Sequence, residues 1–162
     1  MFTLIEVRSV NQQVTIRAIT ADDFSMWKPL WDGYNAFYGR AGDTALPSAV
    51  TLATWGRFLD VAEPVHALVA EQEGDLVGLA HYLFHRSTIH LAPTCYLQDL
   101  YTSAAARGRG IGRALIDAVC QRARSIGSAR VYWHTHETNA VAMALYDKVA
   151  EKSGFLVYRK PV

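Results

Sequence analysis

The residues best suited to chemistry stand in one short run, Ser103-Ala104-Ala105-Ala106-Arg107-Gly108-Arg109-Gly110-Ile111-Gly112-Arg113. Glycines at every second position strip side chains from places where backbone would approach a ligand, and the run leads directly into a helix. The unpaired N–H groups of a first helical turn and the positive end of the helix dipole then face the same point. Such a loop binds anions, phosphate above all, and Arg107, Arg109 and Arg113 add charge that pairs with phosphate oxygens. Two familiar phosphate loops fail on spacing. A mononucleotide P-loop needs a lysine that this segment lacks, and a dinucleotide fingerprint needs a glycine where Arg113 stands.

Other side chains could move protons. Asp99 lies on the strand that feeds the loop, where a partly buried carboxylate can serve as a base or pair with one of the loop arginines. Tyr146 carries a phenol that is protonated at neutral pH and can act as an acid; otherwise it is a core tyrosine with its hydroxyl at the rim. Asn139, seven residues earlier, shares a helix face with it and also suits a helix cap. His134 and His136 fall on one side of a strand with no third ligand at a telling spacing. They, like His81 and His85, read as satisfied or solvated histidines, and no metal site is expected. Cys95 and Cys120 read as small core residues. Two cysteines make no disulfide framework and the start resembles no signal peptide, so the expected setting is the reducing cytoplasm.

The elements that must position these groups follow from periodicity. Residues 14–20 alternate as a strand, and residues 24–38 carry aromatic groups at helical spacing, with Pro29 and Gly33 expected to divide the helix. A second helix is expected over 47–60. Residues 65–71 and 76–84 form a hairpin, and 96–102 a further strand. The clearest helix spans 110–126, closed by Gly127, and is followed by a strand over 130–135, a helix over 139–150 and a last strand over 155–159. The order β-α-α-β-β-β-α-β-α-β describes an α/β (α+β) mixed sheet with helices on both faces and one parallel crossover. Residues 1–12 precede the first clear strand and could add an edge strand, join a partner subunit or stay loose.

Together these motifs carry a resemblance. Arg107-Gly108-Arg109-Gly110-Ile111-Gly112 is similar to the Arg/Gln-x-x-Gly-x-Gly/Ala pyrophosphate motif of acetyl-CoA-dependent GNAT N-acetyltransferases. The strand ending Asp99-Leu100-Tyr101-Thr102 and the helix Asn139-x2-Ala142-x2-Leu145-Tyr146 resemble two further motifs of that family. Residues 131–139 and 145–149 look like the branch with fungal histone/polyamine and D-amino-acid N-acetyltransferases, and Gly154-Phe155 falls later after Tyr146 than in many members, as it does in that branch.

The resemblance implies a GNAT-like fold over nearly the whole chain and acetyl-CoA as co-substrate. It implies that Leu100, Tyr101 and Thr102 lend backbone groups to the pantetheine arm, that Arg107, Gly108, Arg109, Gly110, Ile111, Gly112 and Arg113 hold the pyrophosphate, and that Asn139 bonds to pantetheine. Tyr146 would be the acid for the leaving thiolate and Asp99 the base, directly or through water. An alkylammonium is neutral in only about one molecule in two thousand at pH 7, so a base is needed.

The 162 residues suit a single domain, 1–162, and 51% apolar residues exclude disorder as the main state. No run approaches a membrane span. A net charge of +1 disfavours a nucleic-acid partner, yet it conceals two opposed regions. Residues 22–75 hold nine acids and three bases, a net of −6, and residues 107–130 hold six arginines and one acid, a net of +5. The acidic part would favour cationic amines such as polyamines or lysine tails, unless it is only a solvated face. The expected activity is direct acetyl transfer to a primary amine. A non-catalytic acyl-CoA sensor and a nucleic-acid or protein-tail binding domain are the competing classes, and homodimer formation stays open.

Overall fold

In a computed structural model the chain is described over residues 13–162. The expectation for residues 1–12 lies outside that range. Two compact units emerge, the first running to Tyr132 and the second from Trp133 to Val162.

The first unit holds a five-stranded sheet in the order β1-β2-β3-β4-β5. Strand β1 (Thr15–Ala18) pairs antiparallel with β2 (Val65–Gln72), which turns tightly through Glu73-Gly74 into antiparallel β3 (Asp75–His85). Strand β4 (Thr94–Thr102) pairs antiparallel with β3, and β5 (Val131–Tyr132) pairs parallel with β4. The first strand stops early because Asp23 captures the chain. Its Oδ2 accepts from the Thr20 amide at 2.7 Å, and Arg17 binds both carboxylate oxygens at 2.7 and 2.8 Å while its Nε reaches Glu71 at 2.6 Å. One guanidinium thereby ties β1, β2 and the start of the first helix.

Helix α1 (Phe24–Phe37) is continuous, contrary to the division expected at Pro29 and Gly33. Proline in a helix interior costs about 3 kcal/mol. The apolar stripe outweighs it: Trp27, Leu30, Trp31 and Tyr34 are buried, each contributing on the order of 1.5–3 kcal/mol. Gly33 is there for packing, since a Cβ would stand 2.5 Å from the Tyr101 hydroxyl oxygen. Helix α2 (Ser48–Leu59) follows near its expected position. Ala67, Val69 and Leu79 pack against α1 on one face of the sheet. Gly78, whose neighbours are Ile111 and Leu115, marks the other face, covered by α3 (Ile111–Ser125). Helices on both faces and one parallel crossover match the α/β expectation.

The second unit contains α4 (Ala140–Val149). The strand expected over 155–159 is absent: residues 151–162 hold neither helix nor strand, and Phe155, Leu156, Val157 and Tyr158 are exposed. Alternating β-formers make a strand only when another edge satisfies their peptide groups, and no described strand pairs with this segment. For the same reason β5 is two residues long, where 130–135 was expected.

Candidate active site

The turn from β4 into α3 takes its shape from two glycines. Gly108 and Gly110 have φ of +76° and +79°, and nothing lies within 4 Å of a Cβ built at either, so positive φ and not lack of space demands them. Gly110 is the N-cap of α3, and its carbonyl accepts the first helical bond, from the Ala114 amide at 3.0 Å. The Ile111, Gly112 and Arg113 amides therefore have no intrahelical acceptor and point out of the helix start. Ile111 is buried and anchors the turn, while Arg107, Arg109 and Arg113 are exposed around it. Arg107 donates from Nε to the Thr102 carbonyl at 3.2 Å and lies over the Tyr101 ring at 5.7 Å. Arg113 is 3.8 Å from Asp117 in an exposed pair worth little. This constellation fits a pyrophosphate.

Strand β4 leads to that turn with one edge partly open. Its pairing with β5 is confined to Cys95↔Val131 and Tyr96↔Tyr132. The Ser103 amide bonds to the Val77 carbonyl, and alternation along an antiparallel ladder then directs the peptide groups of Leu100 and Thr102 to the opposite edge. An extended amide chain can pair with such an edge as a further strand, and the Arg107 contact to the Thr102 carbonyl would yield to it.

Asp99 owes its direction to a bulge. His81 faces Asp99 and Tyr82 faces Leu97, so Gln98 is the extra residue on β4. Leu97 and Asp99 would otherwise share a face; the bulge turns Asp99 to the α1 side beside His81. There the carboxylate is buried, and its Oδ2 lies 3.0 Å from His81 Nδ1. The buried Trp27 Nε1 is 3.0 Å from His81 Nε2. An indole N–H only donates, so Nε2 accepts, the imidazole is neutral, and its one proton lies on Nδ1 and donates to Asp99. Burial first, and the charge of that carboxylate second, push the Tyr34 phenol far above its usual pKa. Burial, then the Asp99 charge, raises Tyr38 and Tyr96 as well. Asp99 thus accepts from a neutral donor, and that partner is His81 where an arginine of the loop was the alternative. His81 is satisfied, as the sequence suggested, but its place as the partner of the candidate base was missed. Its link to Trp27, 54 residues away, has no local signature.

In the second unit Asn139 caps α4: its Oδ1 accepts from the Ala142 amide at 3.4 Å, and its Nδ2 donates to Thr135 Oγ1 at 3.4 Å. The Tyr146 ring meets Trp133 edge to face, centroids 5.3 Å apart. His136 bonds within its own turn, to Thr138. Among the described residues no three of His, Cys, Asp and Glu converge as metal ligands, and no helix is long and apolar enough to cross a membrane. Cys95 is buried, which pushes its thiol up to about 12, and burial raises Cys120 too, so neither presents a thiolate. A cavity of about 640 Å³ opens between α1, the connection after it and α2, with Phe24, Leu46 and Leu52 among its apolar walls and Lys28, Asp32 and Arg40 its charged ones.

A glycine-shaped anion turn, an open strand edge and a buried carboxylate on the strand that feeds the turn suit acyl transfer from a pyrophosphate-bearing thioester, and known proteins share the fold and the family. The acetyltransferase (GNAT) family model matches residues 27–150, spanning both units. A D-amino-acid N-acetyltransferase of Saccharomyces cerevisiae is 36% identical over 155 residues, covering 94% of each chain. An uncharacterised N-acetyltransferase of Bacillus subtilis is 28% identical over 147 residues, 90% of this chain and 95% of its own. Among solved structures, AAC(6')-Iy in complex with a coenzyme A bisubstrate analogue superposes with a TM-score of 0.77 at 19% identity, over 93% of this chain and 99% of its own, which speaks for the fold. By fold, motifs and relatives, the chain belongs to the GNAT family of N-acetyltransferases.

Proposed function

We propose that this enzyme moves an acetyl group from acetyl-CoA directly to a primary amine in a ternary complex, with Asp99 as general base and Tyr146 as general acid. The acceptor belongs to the class of small amines, polyamines, amino acids or lysine side chains. The observation that carries the reading is the buried carboxylate of Asp99, held as an acceptor by a neutral His81 on the strand whose outer edge is open. The Ile111, Gly112 and Arg113 amides, Gly108 and Gly110, and the Arg107, Arg109 and Arg113 guanidiniums hold the pyrophosphate. Leu100, Tyr101 and Thr102, with Asn139, hold the pantetheine arm, and a β4 edge amide polarises the thioester carbonyl.

Asp99 takes the proton of the acceptor ammonium, directly or through water. The freed amine forms the new C–N bond at the carbonyl carbon as the C–S bond breaks, and Tyr146 protonates the departing thiolate. The second proton of the nitrogen leaves through water to restore the Tyr146 phenol, while Asp99 returns its own proton to solvent. No cysteine is acylated, in keeping with the raised thiols of Cys95 and Cys120. Two free cysteines suit a cytoplasmic setting. Coenzyme A release with a panel of amines tests the proposal. Turnover that drops at least about tenfold in Tyr146→Phe, with acetyl-CoA binding unchanged, supports it. Binding of acetyl-CoA with no turnover on any amine would replace it with a sensor.

A further inference from the structure

The cavity beside α1 has an unexpected charge. Lys28 and Asp32, one turn apart on α1, pair with each other at 2.6 Å. Arg40 is the remaining charged residue on its wall, so the cavity carries a net positive charge inside the segment whose overall count is −6. That count itself overstates the local field, since Asp23 and Glu71 are both bound by Arg17 from outside the segment.

Arg40 is held in place. Its Nε donates to Asn35 Oδ1 at 2.7 Å, and the buried Asn35 is fixed in turn by donating Nδ2 to the Trp31 carbonyl at 2.8 Å. The guanidinium lies over the rings of Tyr34 and Tyr38, at 5.8 and 5.4 Å. Among the described residues no acceptor meets its terminal Nη1 and Nη2. A planar fork with Nε occupied, its face covered by aromatic rings and its two terminal nitrogens open is arranged to grip a carboxylate. The same two tyrosines also feel the Asp99 charge, with a sign opposite to that of Arg40. An anion at Asp99 and a cation at Arg40 therefore act on one pair of rings. A zwitterion, with its ammonium toward the base and its carboxylate toward the guanidinium, satisfies both.

We propose that Arg40 is a specificity-determining residue that binds the carboxylate of the acceptor, so that the acceptor is a free α-amino acid with an apolar side chain and not a polyamine or a lysine tail. The apolar walls at Phe24, Leu46 and Leu52 suit such a side chain. The inference rests on the transferase reading and specifies its substrate class.

The test compares both enantiomers of phenylalanine with phenethylamine, which lacks only the carboxylate. Wild type, Arg40→Met and Arg40→Lys are assayed for coenzyme A release, and calorimetry measures acceptor binding with coenzyme A present. In Arg40→Met, kcat/KM for phenylalanine is expected to fall about 10–100-fold, mainly through KM, with phenethylamine unchanged within about twofold; Arg40→Lys is expected to recover part of the loss. An equal loss for both acceptors, or a wild type that uses phenethylamine as well as phenylalanine, would overturn the inference. If no acceptor releases coenzyme A, the transferase reading fails, and calorimetry still decides about Arg40. Phenylalanine binding that depends on Arg40 upholds the carboxylate site, and binding indifferent to Arg40, or none, removes it.

Discussion

Asp99→Asn separates the chemical role of this carboxylate from its structural one. The asparagine has nearly the same shape, and its carbonyl oxygen can replace Oδ2 as acceptor of the His81 Nδ1 proton, so the bond from Trp27 to His81 survives. One charge-assisted bond becomes a neutral one, at about 1 kcal/mol, which lowers the thermal midpoint by about 2–4 °C in a chain of this size. What cannot be replaced is the capacity to take a proton. Losing a general base removes about 10²–10⁴ in kcat, or about 2.7–5.5 kcal/mol of transition-state stabilisation. Steady-state coenzyme A release, run beside thermal unfolding and acetyl-CoA binding, measures all three quantities. The catalytic loss is expected to exceed the stability loss, and acetyl-CoA affinity to stay within about twofold. A folded Asp99→Asn enzyme that turns over within about threefold of wild type would refute the assignment of Asp99 as base.

Three further outcomes follow from the same contacts. Trp27→Phe strips the donor from His81 Nε2 inside the core and is expected to cost about 1–3 kcal/mol in urea unfolding; nitrogen NMR of the wild-type imidazole should show the proton on Nδ1. Gly110→Ala forces a side chain onto a residue with φ of +79°, about 1–2 kcal/mol of strain at the mouth of the anion turn, so acetyl-CoA affinity in calorimetry should fall about tenfold while the sheet core stays intact. Acid titration should expose the Arg17 clamp. The guanidinium holds Asp23 down to about 2 from 3.8, so this stabilisation is fully present above pH 4 and is lost as pH falls toward 2, and Arg17→Met should flatten that part of the stability curve by about 2 kcal/mol.

The anion turn was legible because its determinants are local. Glycines that supply positive φ, and a helix that begins just after them, are written into a dozen consecutive residues. Asp99 could be placed on its strand but not given its neighbour, because the His81 contact depends on the register of β3 with β4 and on a one-residue bulge that no single segment announces. Gly33 looked like a helix breaker, whereas its reason lies 68 positions later, in the Tyr101 ring packed on the backbone of α1. The 155–159 segment has the alternation of a strand, yet no described edge pairs with it. In the sequence Arg40 is only one of three bases in an acidic segment. Its significance depends on which of its neighbours are already paired, and composition does not record that.

The central claim is that the protein forms an amide bond by direct transfer. Mass spectrometry of purified protein mixed with acetyl-CoA and phenylalanine tests it most directly, because product, coenzyme A and protein are read together. The account expects N-acetylphenylalanine and free coenzyme A in equal amounts, with the protein mass unchanged throughout. Acetyl-CoA that stays intact with every amine offered, or an acetyl group found on Cys95 or Cys120 on the way to product, would contradict it.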